Sequence, residues 1–133
     1  MTAEKYLQRI KQIDAIIVNK LNDHKRWVEL AEGLGGFSVS ERVQSSRNLY
    51  KIPDAIGRYI DIENEISALK RERQAIIKTI ERLPPTEYDL IYKLYVQDYT
   101  MKEIAYHRGK SYEWVKIKKR VALRLVQGMI DEG

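Results

Sequence analysis

Residues 83–125 read LPPTEYDLIYKLYVQDYTMKEIAYHRGKSYEWVKIKKRVALRL. Pro84-Pro85 is the sharpest break in the chain, because proline donates no amide and disfavours helical geometry in the residue before it. Thr86 and Asp89 follow, and Leu90, Ile91, Leu94 and Tyr95 recur on one face, which predicts a short helix over 86–97. Thr100, with Glu103 three residues on, has the form of a capping box. It opens a predicted helix over Met101–His107 with Ile104 and Ala105 turned inward. Arg108-Gly109-Lys110 then makes a turn in which Gly109 is free to take a positive φ. Ser111 is placed to cap a last helix over 112–127, with Val115, Ala122, Leu123 and Val126 on its apolar side.

A short helix, a tight glycine turn and a capped helix spell a helix-turn-helix. Its charge points the same way. Residues 101–124 hold eight basic and two acidic groups, whereas residues 54–82 hold six of each and residues 83–100 one basic and three acidic. The net charge of +5 is therefore concentrated in one stretch, the distribution expected of a protein with a polyanionic partner rather than of a uniformly basic surface. Tyr112, Glu113 and Lys116 lie where a helix entering a major groove reads base edges. There Glu113 could accept from a cytosine amino group and Lys116 donate to guanine. Lys102, Arg108, Lys110, Lys118, Lys119, Arg120 and Arg124 are placed for phosphates. Ser111 belongs to the same candidate surface, its hydroxyl read first as a cap; Trp114, beside Val115, is read as packing and His107 as a turn residue.

Upstream of Pro84 the pattern changes. Ile10, Ile13, Ile17, Leu21, His24, Val28 and Ala31 recur at spacings of three and four, predicting a helix over 3–32 ended by Gly33, Gly35 and Gly36. Tyr59, Ile62, Ile66, Leu69, Arg73, Ile76, Ile80 and Leu83 predict a second over 54–82, a heptad register broken once, at Arg73, with Pro53-Asp54 as its start. The connection 33–53 is long, with room for a helical turn near Glu41–Arg47. Its Arg42, Arg47, Lys51, Ser45 and Ser46 could touch phosphate, though a solvated linker is the simpler account. The expected fold is all-α: a long antiparallel helical hairpin over 1–82, serving oligomerisation or partner binding, followed by a DNA-binding domain over 83–133. Two such helices expose much of their apolar stripes, so the hairpin is expected to pack on something else, either the C-terminal domain or a second copy of itself in a homodimer.

Other classes are excluded or weak. The 133 residues include no cysteine, which removes disulfides, iron–sulfur clusters and thiolate zinc; His24 and His107 are too far apart in sequence for an HxxxH-type pair. Gly-rich phosphate loops, nucleophile elbows and metal-ligand clusters are missing from the sequence, so no enzyme activity, metal or cofactor is expected. Asp61 and Glu65 share a helix face with basic neighbours and read as surface charge. No apolar run reaches the ~18–20 residues of a membrane span, and MTAEKYLQRIKQ has no signal-peptide pattern, so a cytoplasmic location away from membranes is expected.

Residues 83–125 resemble region 4, the C-terminal DNA-binding region of bacterial sigma factors. The resemblance is carried by Leu83-Pro84, Leu90 and Tyr95, Thr100 with Lys102-Glu103-Ile104-Ala105, then Gly109, Ser111, Val115 and Ala122-Leu123. With its helical N-terminal part the chain looks like the small phage-encoded late-transcription regulators of Gram-positive bacteria, the ArpU/RinA-type group. The resemblance implies a sequence-specific double-stranded DNA-binding transcriptional regulator, with host RNA polymerase as a further partner. Lys118 stands where region 4 usually has an apolar residue, and Ile117 and Val121 are expected to take over its packing. Nothing here resembles the promoter-melting region of a sigma factor, which favours an activator over a self-sufficient factor. Two other readings fit the same elements: a small terminase-like DNA-packaging protein, which would form rings, and a helical module that binds polymerase or another protein.

Overall fold

The computed structural model describes residues 1–35 and 51–133, and every regular element among them is helical. The helices are α1 (Ala3–Gly35), α2 (Lys51–Ile80), α3 (Pro85–Ile91) running into a π-helical turn (Tyr92–Val96), α4 (Met101–Arg108) and α5 (Tyr112–Glu132). The helical turn expected near Glu41–Arg47 and the candidate phosphate contacts at Arg42, Arg47, Ser45 and Ser46 lie outside the described residues.

α1 runs three residues past its predicted end, while α2 starts three residues before its predicted start and stops two short of its predicted end. α1 runs through Gly33, a substitution-like cost of only about 1 kcal/mol against a helix of 33 residues. α2 begins at Lys51, so Pro53 falls in its first turn, where amides have no intrahelical acceptor and a missing one costs nothing. The chain divides into two compact units, one of residues 1–14 with 71–133 and the other of residues 15–70. The boundary expected at Pro84 therefore falls inside the first unit.

In the first unit, Ala3, Leu7, Ile10 and Ile13 of α1 and Ile76, Ile77 and Ile80 of α2 are buried, as are Leu83, Leu90, Ile91, Leu94, Tyr95, Ile104, Ala105, Val115, Ala122 and Val126. The first turns of α1 are tied to the last turns of α5: the Ala3 amide donates to Gln127 Oε1 at 2.7 Å, and Gln127 Nε2 donates to the Met1 carbonyl at 3.2 Å. This explains why 1–14 and 71–82 join the C-terminal helices: they supply one wall of the core those helices need. Arg73, the break in the heptad, has its partner here, donating to Asp14 from Nε at 2.7 Å. Arg9 and Glu72 pair at 2.6 Å, and the Tyr6 and Thr79 hydroxyls meet at 3.0 Å. The Arg9 hydrogen bond, helped by its charge, outweighs desolvation and holds the Glu72 carboxyl below its ordinary range.

In the second unit, Ala55, Ile62 and Ile66 are buried and Ile17, Tyr59 and Leu69 half-buried. Lys20 pairs with Glu65 at 2.6 Å and His24 with Glu63 at 2.8 Å, so the numbers rise along α1 as they fall along α2. Leu21, expected on the inward stripe, is half exposed, with Val18, Leu30, Ile56 and Ile60 also open to solvent.

The short C-terminal elements follow their local chemistry. Pro84 and Pro85 place α3 directly after α2, with Pro85 in its first turn. The expected helix 86–97 changes to wider π turns after Ile91, the Gln97 amide reaching the Tyr92 carbonyl at 3.0 Å. Asp98 ends it at φ 65°, a left-handed conformation that aspartate tolerates better than most residues, and its carboxylate meets Lys11 Nζ at 2.6 Å. The Tyr95 hydroxyl is buried and has no hydrogen-bond partner among the described residues, and burial pushes its ionisation up to about 12. No helix among the described residues is long and apolar enough to cross a membrane.

Candidate nucleic-acid interface

The candidate surface is built by α4, the turn and α5, all within the first unit. Thr100 accepts from the Glu103 amide at 3.1 Å while the Thr100 amide donates to Glu103 Oε1 at 3.2 Å, completing the predicted capping box. α4 ends at Gly109, which adopts φ 62° and ψ 32° and sends its amide back to the α4 carbonyls. Ser111 Oγ accepts from the Trp114 amide at 3.0 Å and starts α5. Ile104 and Ala105 on α4 and Val115 on α5 are buried, locking the two helices together through small and branched side chains. Thus the turn geometry is set by Gly109 through its backbone and by Ser111 through its cap.

The cations fall into two groups. Arg108 donates to Asp89 Oδ2 from Nη2 at 2.6 Å, and Lys93 meets the same carboxylate at 3.1 Å. Burial works to raise the Asp89 carboxyl, and these two hydrogen bonds outweigh it, leaving it below the ordinary aspartate range. Arg108 is therefore an α3–α4 tie before it is a phosphate ligand. Lys119 faces Glu4 at 3.9 Å, and Lys118 faces the buried Glu87 at 3.5 Å. Lys118 does not leave its packing to Ile117 and Val121, as expected from the sequence: those two are 53% and 38% exposed. Instead the Lys118 stem lies toward α3, and its ammonium closes over a carboxylate that would otherwise be buried unpaired.

Lys102, Lys110, Arg120 and Arg124 are exposed, and among the described residues none of them forms a salt bridge. Lys110 and Lys118 lie over the half-buried Trp114 ring at 5.7 and 5.9 Å from its centre, which makes Trp114 a packing residue with a cationic rim. Lys116 pairs with Glu113 at 3.3 Å and lies over the Tyr112 ring at 5.4 Å, so these three predicted base readers form one cluster on the first two turns of α5. Met101, Lys116, Lys119, Arg120 and Leu123 line a shallow hollow between α4 and α5. Two residues escaped the sequence reading. Glu87 is buried although charged, and nothing near it in sequence announced its partner 31 residues on. Ile117 is outward, and the phase of α5 could have shown it, since Val115, Ala122 and Val126 define the opposite side.

Among the described residues no group of histidine, aspartate and glutamate is placed to hold a metal ion. Comparison with protein-family models, curated proteins and solved structures finds no match to this chain, so the functional reading rests on its own residues.

Proposed function

We propose that this protein is a sequence-specific double-stranded DNA-binding transcriptional regulator of phage or prophage type, with α4 and α5 acting as a sigma region 4-like helix-turn-helix. The observation that carries the reading is the outer side of α5. It combines a capped N-terminus, the Tyr112–Glu113–Lys116 cluster and the unpaired cations Arg120 and Arg124, with Lys102 and Lys110 on the flanking elements. A major groove accepts a helix of this kind, cations on either side hold phosphates, and the first two turns face base edges. The parts of α1 and α2 in the second unit serve as a helical arm. Its exposed Val18, Leu21, Leu30, Ile56 and Ile60 give a surface for a second copy, which would double a short DNA site.

The test is a binding titration of the whole protein on fragments of its flanking genomic DNA at two salt concentrations, with light scattering on the same sample. Salt-sensitive retention of one fragment by a monomer or dimer is the expected result. Equal binding of all fragments would overturn the regulator, and a ring of many subunits would replace it with a packaging protein.

A further inference from the structure

Ile117 is the one large aliphatic side chain on the first two turns of α5 that is mostly solvent-exposed, at 53%. Its neighbours one turn away on that side are the charged Glu113 and Arg120 and the apolar Val121, 38% exposed, which borders it toward the buried side. Helical phase groups it with Glu113, Arg120 and Arg124, all exposed, and puts it opposite the buried Val115, Ala122 and Val126. It belongs to none of the buried positions of the first unit. A branched aliphatic group held rigid on a helix, flanked by charges that serve a polyanion, has few partners of its own kind on that polyanion. The major groove of DNA offers one apolar group, the 5-methyl of thymine; the other base edges there present hydrogen-bond donors and acceptors.

We infer that Ile117 is a specificity-determining residue that reads a thymine 5-methyl group in the major groove. The assignment rests on the DNA-binding reading above and deepens it. It gives the site a division of labour: Glu113 and Lys116 address polar base edges, Ile117, four residues and one residue further along the same helix, addresses a methyl, and Arg120 and Arg124 hold the backbone. The β-branched side chain suits the task because its χ1 is restricted on a helix, so little rotamer freedom is lost on contact.

The experiment begins with selection of a preferred site by the wild-type protein from a randomised duplex pool. Each thymine of that site is then replaced in turn by deoxyuridine, which removes only the methyl, and binding is compared for wild type and Ile117→Ala. Ile117 is exposed and alanine is a good helix former, so the variant keeps the fold; its melting curve checks this. Losing one buried methyl should weaken wild-type binding about fourfold at one thymine position. Ile117→Ala should bind the thymine and uracil duplexes equally at that position. A selected site at which no uracil substitution weakens wild-type binding, or at which the methyl effect persists in Ile117→Ala, overturns the assignment and leaves the DNA-binding reading standing. If the wild-type protein selects no site at all, the DNA-binding reading falls, and the assignment with it.

Discussion

Gly109 and Tyr95 show how single residues set this structure. Gly109 sits at φ 62° with open space around the position a Cβ would take, so any penalty for a side chain there comes from the backbone and not from a clash. Gly109→Ala is expected to destabilise the protein by about 1–2 kcal/mol, seen as a lower denaturant midpoint at unchanged slope. Tyr95 is the opposite case: its ring is well buried and its hydroxyl has no partner among the described residues. Tyr95→Phe removes a polar group that was desolvated without return, and is expected to raise stability by about 1 kcal/mol in the same assay. Gly109 was legible in the sequence because a glycine between two capped helical patterns has few other uses. The unmet hydroxyl of Tyr95 was not, since the apolar pattern places the ring and says nothing of what lies beyond its tip. Lys118 belongs with Tyr95. A lysine on the inner side of a helix reads as an error of register until the buried Glu87 is seen opposite it.

Among the elements, α3 was read from the Pro84-Pro85 break and starts without a side-chain cap, while α4 and α5 were read from Thr100 and Ser111, each of which accepts from a first-turn amide that has no intrahelical partner. Helix ends were read less well: α1 passes Gly33, α2 takes Pro53 into its first turn and α5 runs through Gly128 from the expected end at 127 to Glu132, because glycine and proline near a terminus bear costs small enough for a long helix to absorb. The wide turn at Tyr92–Val96 left no sequence trace: Leu90, Ile91, Leu94 and Tyr95 suit an α-helix equally well. What joins α3 to α4 is the Asp89 carboxylate between Lys93 and Arg108. Its acidity is increased in the folded state, so it binds fewer protons there than in the unfolded chain at the same pH. Its contribution to stability is therefore full above about pH 5, shrinks as pH falls through the ordinary aspartate value, and is gone below the lowered folded value. Thermal melts of wild type and Asp89→Asn across this range should differ most at neutral pH and converge in acid. A constant difference would show that Asp89 acts through packing alone.

At the scale of the molecule, the order of helices and the placement of charge were legible, while the grouping of residues into units was not. Pro84-Pro85 is a break in the backbone and not in the core: Leu7 and Ile10 on one side of it and Leu90 and Val126 on the other are all buried within the same unit. Such grouping depends on contacts more than a hundred residues apart, such as Ala3 with Gln127, which no local pattern encodes. The central claim, that the outer side of α5 binds duplex DNA through cations the fold leaves unpaired, is tested most directly by the salt dependence of binding. Affinity for duplex DNA should be measured over a series of salt concentrations for wild type, Arg120→Ala, Arg124→Ala and Lys118→Ala. If Arg120 and Arg124 each meet one phosphate, each of their variants should bind more weakly and lose about 0.9 from the slope of log K against log salt. Lys118→Ala, which removes the partner of Glu87, should leave that slope unchanged. Failure of the wild-type protein to bind duplex DNA, or equal slopes in wild type and both arginine variants, would contradict the account.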